Sequence, residues 1–532
     1  MNTSRIGTSS RFILENLTEG ENLVGKIISY KKGFKMGTLI SNCKKCPILL
    51  VGIILLMFFR SVLGQEDDYI PPDSSDMRNI TSIELAQEMI PGWNVGNSLE
   101  AIGGETAWGN PKITQNLIDS VKAAGFNAVR IPVAWSKFSD TSTFTIEESW
   151  LERVEEVVCY VLSSGMYAII NEHWDNGWIQ PTYADSAYVK NRLAAMWKQI
   201  AIYFRDYDDH LLFAGTNEVM KEGNWGEPTK EYYTVQNMYN QVFVNTVRAT
   251  GGRNYYRHLL VQGYRTDINC TVKYFVIPQD VVPNRLMVEV HYYDPYNFTL
   301  NEDDKIIQWG KYATNASRTE TWANESWADG QFNKMKTNFI DKGYAVILGE
   351  YCATSRLNLG SAELNAQHAE YRRYYINYVT YSMVYHGLIP FYWDNGYTGD
   401  HGSGIFNRAD GTQAYPNLVK AIMDGVNLTV FPVGIKDEEK PKTAREFVLN
   451  QNYPNPFNSQ TKISYYLPRT GKVTVKVYDL NSCEVATLVR QELQKPGYYE
   501  VPFDASKLSS GLYFYQLSSE HFTDTRKMLL LK

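Results

Sequence analysis

Two glutamates stand where chemistry is most readily placed: Glu218 in FAGTNEV and Glu350 in AVILGEYC each end a short apolar run that reads as a buried strand. Two acids delivered to one rim of a parallel barrel are what glycoside hydrolysis requires. One carboxyl group protonates the leaving oxygen and a second, about 5 Å away in retaining enzymes, attacks the anomeric carbon. Other polar residues end or follow apolar runs in the same way: Arg130, His173, Asn217, His291 with Tyr293, and Trp393. Each alone has a packing explanation, as a paired core arginine, a satisfied strand-end histidine or a barrel tryptophan. Six runs making the same choice is hard to attribute to packing.

These side chains need a framework, and the chain supplies one. Strand-type runs begin at Gly92, Ala128, Tyr167, Leu211, His258, Leu286, Ala345 and Leu388. Between them lie helix-period segments such as NLIDSVKAAG and VKNRLAAMWKQIAIYF, several closed by glycine. Eight short apolar strands alternating with helices over about 350 residues predict a (β/α)8 barrel, whose sites are built at the C-terminal strand ends. A doubly wound sheet also alternates, but no run here is followed by a glycine-rich phosphate loop. Adjacent strand residues face opposite ways, so Asn217 and Glu218 can share a site only where their strand ends or bulges. By the same parity Glu289 faces His291's side and reads as a core acid in need of a partner, and Glu172 faces away from His173.

The chain of 532 residues exceeds one core, so at least two folded units are expected. A net charge of −6 with both signs scattered argues against nucleic acid and suits a neutral polymer. With 12 Trp, 38 Tyr and 22 Phe, there are flat rings to spare for stacking on sugar faces. Trp108, Trp135, Trp178 and Trp225 fall in loops after strands, where extra sugar subsites would be built. The run CPILLVGIILLMFFRSVLG, behind Lys44 and Lys45, predicts a signal peptide cut near Gln65, with an uncleaved anchor as the alternative and Met36 as a possible true start. Cys159, Cys270, Cys352 and Cys483 would remain, and their spacing suggests buried thiols rather than disulfides or a zinc site. No cofactor is called for.

The segments GWNVGNSLEA, VRIPVAW, NEHWDNGW, GTNEV, VHYYDPYNF, ILGEYCA and FYWDNG resemble glycoside hydrolase family 5 over residues 80–428. ETAWGNP at Glu105 and RATGGRN at Arg248 are similar to its subfamily 4 of endoglucanases, lichenases and xyloglucanases. The resemblance implies Glu218 as acid/base and Glu350 as nucleophile, supported by Arg130, His291 and Tyr293. It implies sugar contacts from His173, Asn217, Trp393, Asn97 and Trp178. The acid should have a raised pKa, and the nucleophile should be kept ionised by a guanidinium and a hydroxyl. Val219 after the acid and Trp174 after His173 depart from the family pattern.

After Asn427 the composition turns polar and charged, as in a linker, and from Phe447 short alternating strands predict a small β-sandwich. YPNPFN, LSSGLYFYQL and the terminal KMLLLK resemble the sorting domain of the bacterial type IX secretion system, with a carbohydrate-binding module as the alternative. The expected layout is residues 1–65 as extension and signal peptide, 66–428 as catalytic barrel, 429–446 as linker and 447–532 as sorting sandwich. The expected protein is a secreted or cell-surface bacterial monomer hydrolysing plant-type β-1,4-glucans by double displacement and handled by the type IX secretion machinery. A mannanase, a catalytically silent glucan-binding protein and, more weakly, a metal-dependent barrel remain as alternatives.

Overall fold

The computed structural model describes residues 69–430, 433 and 447–531, apart from 174, 176, 453, 454, 456, 468, 481, 482, 496, 520 and 521. The signal-peptide assignment, most of the linker, Trp174 and part of YPNPFN therefore lie outside the described residues. No helix among those described is long and apolar enough to cross a membrane.

Eight strands, β1 (Gly92–Val95), β2 (Ala128–Ile131), β3 (Tyr167–Asn171), β4 (Leu211–Ala214), β5 (Leu259–Gln262), β6 (Leu286–His291), β7 (Ala345–Tyr351) and β8 (Ile389–Asp394), close into a barrel in which β8 pairs with β1. All eight predicted runs are there, and every pairing is parallel. The strands stop earlier than the apolar runs suggested, because residues past the fourth to seventh position turn outward into the rim loops. A short helix, α1 (Ser82–Glu88), precedes the barrel, and a helix follows each strand: α2 (Gln115–Ala123), α3 (Glu148–Ser163), α4 (Tyr183–Tyr203), α5 (Lys230–Ala249), α6 (Ile268–Tyr274), α7 (Glu325–Asn338), α8 (Ala362–Tyr385) and α9 (Pro416–Val426).

Strand parity sorts the barrel interior into two layers. The lower layer is apolar, with Ile169, Leu212, Leu260, Met287, Ile347 and Phe391 meeting Leu85 and Met89 from α1 and its C-terminal end. Thus α1 plugs the bottom of the barrel. Its start is fixed by a capping box in which Thr81 and Glu84 satisfy each other's backbone N–H groups. Further along most strands the interior becomes polar, with Asn94, Arg130, Asn171, Gln262, Glu289 and His291 all buried. Outward-facing residues such as Val129, Ile170, Phe213 and Val288 pack on the helices.

One strand breaks its alternation. Val290 on β6 pairs with Leu348 and His291 with Glu350, while on the other side Pro390 pairs with Leu348 and Tyr392 with Tyr351. β7 therefore carries an extra residue, a bulge, at Gly349 and Glu350. Without it, Glu350 would face the helices. Gly349 is required beside it, since a Cβ there would lie 2.2 Å from Glu289 Oε1.

The C-terminal strands form two antiparallel sheets, as expected for a sandwich. One orders β9 (Val448–Leu449), β10 (Gln460–Leu467) and β13 (Gly497–Asp504). The other orders β12 (Glu484–Gln494), β11 (Gly471–Tyr478), β14 (Gly511–Ser519) and β15 (Phe522–Leu530). Alternate residues of both, including Ile463, Tyr465, Val475, Tyr515 and Leu517, share one buried core. The expectation of buried thiols holds for Cys270 and Cys352 but not for Cys159 and Cys483, which are exposed. Cys159 lies within α3 with its Sγ 3.4 Å from the Tyr207 hydroxyl, and Cys483 sits in the turn between β11 and β12.

Because Leu85 is fully buried in the barrel plug, Leu85→Ala is expected to cost about 2–5 kcal/mol. Urea unfolding followed by tryptophan fluorescence checks this. An unchanged barrel midpoint would show that α1 does not close the bottom.

Candidate active site

The polar upper layer is organised around Arg130, whose side chain is fully buried. Its Nε lies 2.8 Å from Glu289 Oε1. Nη1 donates to Glu350 Oε1 and to Asn94 Oδ1, both at 3.0 Å, and Nη2 donates to Asn217 Oδ1 at 2.6 Å. Four strands or strand ends thus meet on one guanidinium. Glu289 is also held by Gln262, whose Nε2 donates to Oε2 at 2.7 Å. Burial alone would push Glu289 up, but Arg130, His291 and Gln262 outweigh it and hold its pKa at about 2.

Glu350 is nearly buried and is gripped on both oxygens, since the Tyr293 hydroxyl donates to Oε2 at 2.9 Å. Glu218 lies beyond the end of β4, which is how it and Asn217 both reach the site, and its side chain keeps 43 % of its exposure. His291 stands between the two acids: Nδ1–H donates to Glu218 Oε1 at 2.8 Å and lies 3.6 Å from Glu350 Oε2. Ligating atoms of Glu218, His291 and Glu350 all fall within 4.8 Å of one another. Burial works against a charged His291, but Glu350, Glu218 and Glu289 together raise its pKa to about 9.

The two acids titrate against each other. Burial and the charge of Glu218 push Glu350 up, against the pull of His291, Arg130 and Tyr293. The protein packed around Glu218 also pushes its carboxyl up, yet the hydrogen bond and charge of His291 bring it below the ordinary range. This reverses the expectation that the acid's surroundings raise it. The neighbour that sequence placed beside Glu218 is a cation.

His173 and Trp393 stack with ring centroids 5.7 Å apart and planes 7° from parallel. Burial, with Arg130 and His291 nearby, drives the His173 pKa well down, so the ring is neutral. Asn171 Nδ2 donates to its Nδ1 at 3.1 Å, which leaves the ring proton on Nε2. Trp178 is held farther out: its Nε1 donates to Glu172 at 3.1 Å and Arg192 lies 4.6 Å from the ring. Asn97 takes a left-handed backbone with φ 56°. Its N–H donates to Glu100 and its carbonyl accepts from Asn110, so the structure ties Asn97 into the rim turn through its backbone. The four loop tryptophans divide: Trp135 is fully buried core, whereas Trp108 and Trp225 are 43 % and 75 % exposed. Sequence reading missed Asn94, although it lies two residues past Gly92 on the inward parity, and it missed that Glu289's partner is Arg130. Asp208, Asp209 and His210 form the other cluster with metal-ligand spacing among the described residues, but their atoms are engaged with each other and with Arg78.

A cellulase profile, glycosyl hydrolase family 5, matches residues 94–399. The chain is 45 % identical over 375 residues to a xyloglucan-specific endo-β-1,4-glucanase of Bacteroides ovatus, covering 68 % of this chain and 73 % of that protein. The chain belongs to glycosyl hydrolase family 5. Endoglucanase A of Paenibacillus barcinonensis is 39 % identical, with 66 % of this chain and 92 % of that one covered. A family 5 xyloglucanase structure from Bacteroides ovatus, in complex with a XXXG heptasaccharide, superposes with a TM-score of 0.65 at 44 % identity, over 69 % of this chain and 80 % of that one. A broad-specificity endoglucanase structure from Bacteroides salanitronis gives a TM-score of 0.61 at 38 % identity, over 68 % and 99 %. Residues 451–531 match a secretion system C-terminal sorting domain, so this family 5 glycoside hydrolase carries a type IX sorting domain.

Two titrations should show in the family 5 barrel's stability. Glu289, held at about 2 against an ordinary 4.5, contributes stability present above pH 4.5 and lost as pH falls toward 2. His291, raised to about 9 from 6.5, contributes stability fully present below pH 6.5 and lost as pH rises through 9. Urea unfolding across pH 2–10 is therefore expected to peak between 4.5 and 6.5. Glu289→Leu, which strands Arg130, is expected to cost about 3–5 kcal/mol and to flatten the acid limb. A Glu289→Leu protein as stable as the parent would disprove the pairing.

Proposed function

We propose that this protein is a secreted endo-β-1,4-glucanase that cleaves plant-type β-1,4-glucans, xyloglucan among them, with retention of anomeric configuration. The observation that carries the reading is the opposed pair: a carboxylate fixed by Arg130 and Tyr293, with ligating oxygens within 4.8 Å of a second, solvent-facing carboxylate. Inverting enzymes need roughly 6.5–9.5 Å between carboxyl groups to admit a water, whereas about 5 Å suits direct attack.

Glu350 attacks the anomeric carbon as the bond to the leaving oxygen breaks, and Glu218 gives that oxygen its proton. Water then attacks the glycosyl-enzyme, Glu218 takes the water's proton, and the Glu350 carboxylate departs. A bound glucan displaces water from Glu218, and this desolvation raises the acid's pKa toward what proton donation needs. The titrations of Glu218, His291 and Glu350 are linked, so desolvation at Glu218 is felt by all three. Asn217, whose Oδ1 is taken by Arg130, offers its amide donor to the 2-hydroxyl of the cleaved sugar. Neutral His173 offers its Nε2 proton to the same sugar, and Trp393 its face. Trp178 and Asn97 are assigned further sugar contacts at the rim.

The exposed rings of Trp108 and Trp225 suit an open cleft that takes a chain at internal positions. Xyloglucan enters the reading through the Bacteroides ovatus relative, named as specific for it. We assign residues 1–65 to extension and signal peptide, 66–428 to the catalytic barrel, 429–446 to the linker and 447–532 to the sorting sandwich. The route is export to the periplasm and passage through the type IX machinery to the cell surface or medium.

The full chain is expected to release oligosaccharides from xyloglucan, barley mixed-linkage glucan and carboxymethylcellulose, with the β-anomer appearing first by proton NMR. Glu218→Gln should lower kcat/KM by about 10²–10⁴-fold, and Glu350→Gln by at least as much. First appearance of the α-anomer would overturn retention, and activity on galactomannan alone would overturn the glucan assignment.

A further inference from the structure

We propose that Arg265 is a positioning residue for the acid/base Glu218, acting from the side of the cleft that receives the leaving group. The inference rests on the assignment of Glu218 above. It begins with the backbone. Arg265 and Thr266, in the loop after β5, both lie in the left-handed region, with φ 57° and 49°. Non-glycine residues are held there at a cost, and such strain gathers where the surrounding structure needs one particular geometry.

The geometry obtained is specific. The Arg265 N–H donates to the carbonyl of Val219, the residue after Glu218, at 3.0 Å. Its guanidinium reaches the other way, with Nη1 donating to the carbonyl of Trp225 and Nη2 3.7 Å from Asp267. Next to it, the Tyr264 hydroxyl accepts from the Lys221 N–H at 2.9 Å. Three bonds therefore fasten the loop after β5 to both ends of the segment that begins at Glu218 and ends at the exposed Trp225. An ordinary hydrophobic contact could hold two loops together, but not fix the carbonyl beside the acid.

The charge acts as well as the bonds. The charges that act on Glu218 are, in descending order, His291 from β6, Arg130 from β2 and Arg265 from the loop after β5, and the charge of Glu218 acts in turn on Glu350 from β7 and on the Tyr293 hydroxyl after β6. Arg265 is the one that lies outside the barrel's polar layer, and its half-buried cation favours ionised Glu218. Trp393 and His173 offer a stacked wall to the sugar being cleaved, and the acid stands between that sugar and the departing one. The loops that carry and flank the acid then wall the departing sugar. In this position Arg265 sets how readily Glu218 gives up its proton and how the leaving sugar meets it.

Arg265→Gly tests this cleanly, because glycine accepts the left-handed backbone and keeps the N–H bond to Val219 while removing the guanidinium. The comparison substrates are a cello-oligosaccharide, whose departure needs a proton, and 2,4-dinitrophenyl β-cellobioside, whose departure does not. For Arg265→Gly, kcat/KM is expected to fall about tenfold on the first and less than about twofold on the second, a fraction of what general acid catalysis supplies. The alkaline limb of the pH profile for the oligosaccharide should rise by roughly half a unit, since the removed cation no longer favours the ionised acid. Arg265→Lys, which keeps the charge, should restore the limb. Equal losses on both substrates, or a limb that does not move in a protein with unchanged melting temperature, would overturn the inference. Wild-type protein inactive on both substrates would instead sink the hydrolase reading on which it stands.

Discussion

Everything at the barrel mouth depends on keeping one guanidinium out of water. Arg130 sits at the boundary between an apolar floor and a polar rim, where an unpaired cation would cost several kcal/mol. Its neighbours are chosen by that constraint: Glu289 beside Nε, Glu350 and Asn94 on Nη1, Asn217 on Nη2. The pairing binds the barrel's stability to its chemistry, since the same contact that satisfies Arg130 aims Glu350. The charge of Glu289 keeps Arg130 paired whatever the protonation state of Glu350.

Charge counting explains the rest of the arrangement. Arg130 and His291 bring two cations among Glu289, Glu350 and Glu218. Glu289 is fixed as an anion, so the remaining pair shares what is left and responds to whatever enters the cleft. A pair in that condition can gain or lose a proton with little rearrangement of side chains.

Much of this was legible in the chain itself. The eight strands could be read because a parallel barrel buries both strand faces, which leaves continuous apolar runs, and the polar residues at their ends marked the rim. The helix at the bottom was missed because seven residues carry too little periodicity, although its capping box, Thr81 with Glu84, was written in the sequence. The acid's electrostatics were misread for a different reason: the effect of His291 depends on a 2.8 Å approach between strands far apart in sequence. Asn94 was passed over although it lies two residues past Gly92, on the inward parity of β1, because its role rests on the approach of Arg130 from the neighbouring strand.

The bulge in β7 has a consequence for assembly. Gly349 and Glu350 occupy one rung, so a strand that formed without the extra residue would turn the carboxylate outward among Tyr351's neighbours in the apolar shell beneath the helices. There it would lose both the Arg130 and the Tyr293 contact. A misregistered barrel is thus penalised by a carboxylate that has lost its partners at the very residue that would be out of place, and Glu350 proofreads the register of its own strand.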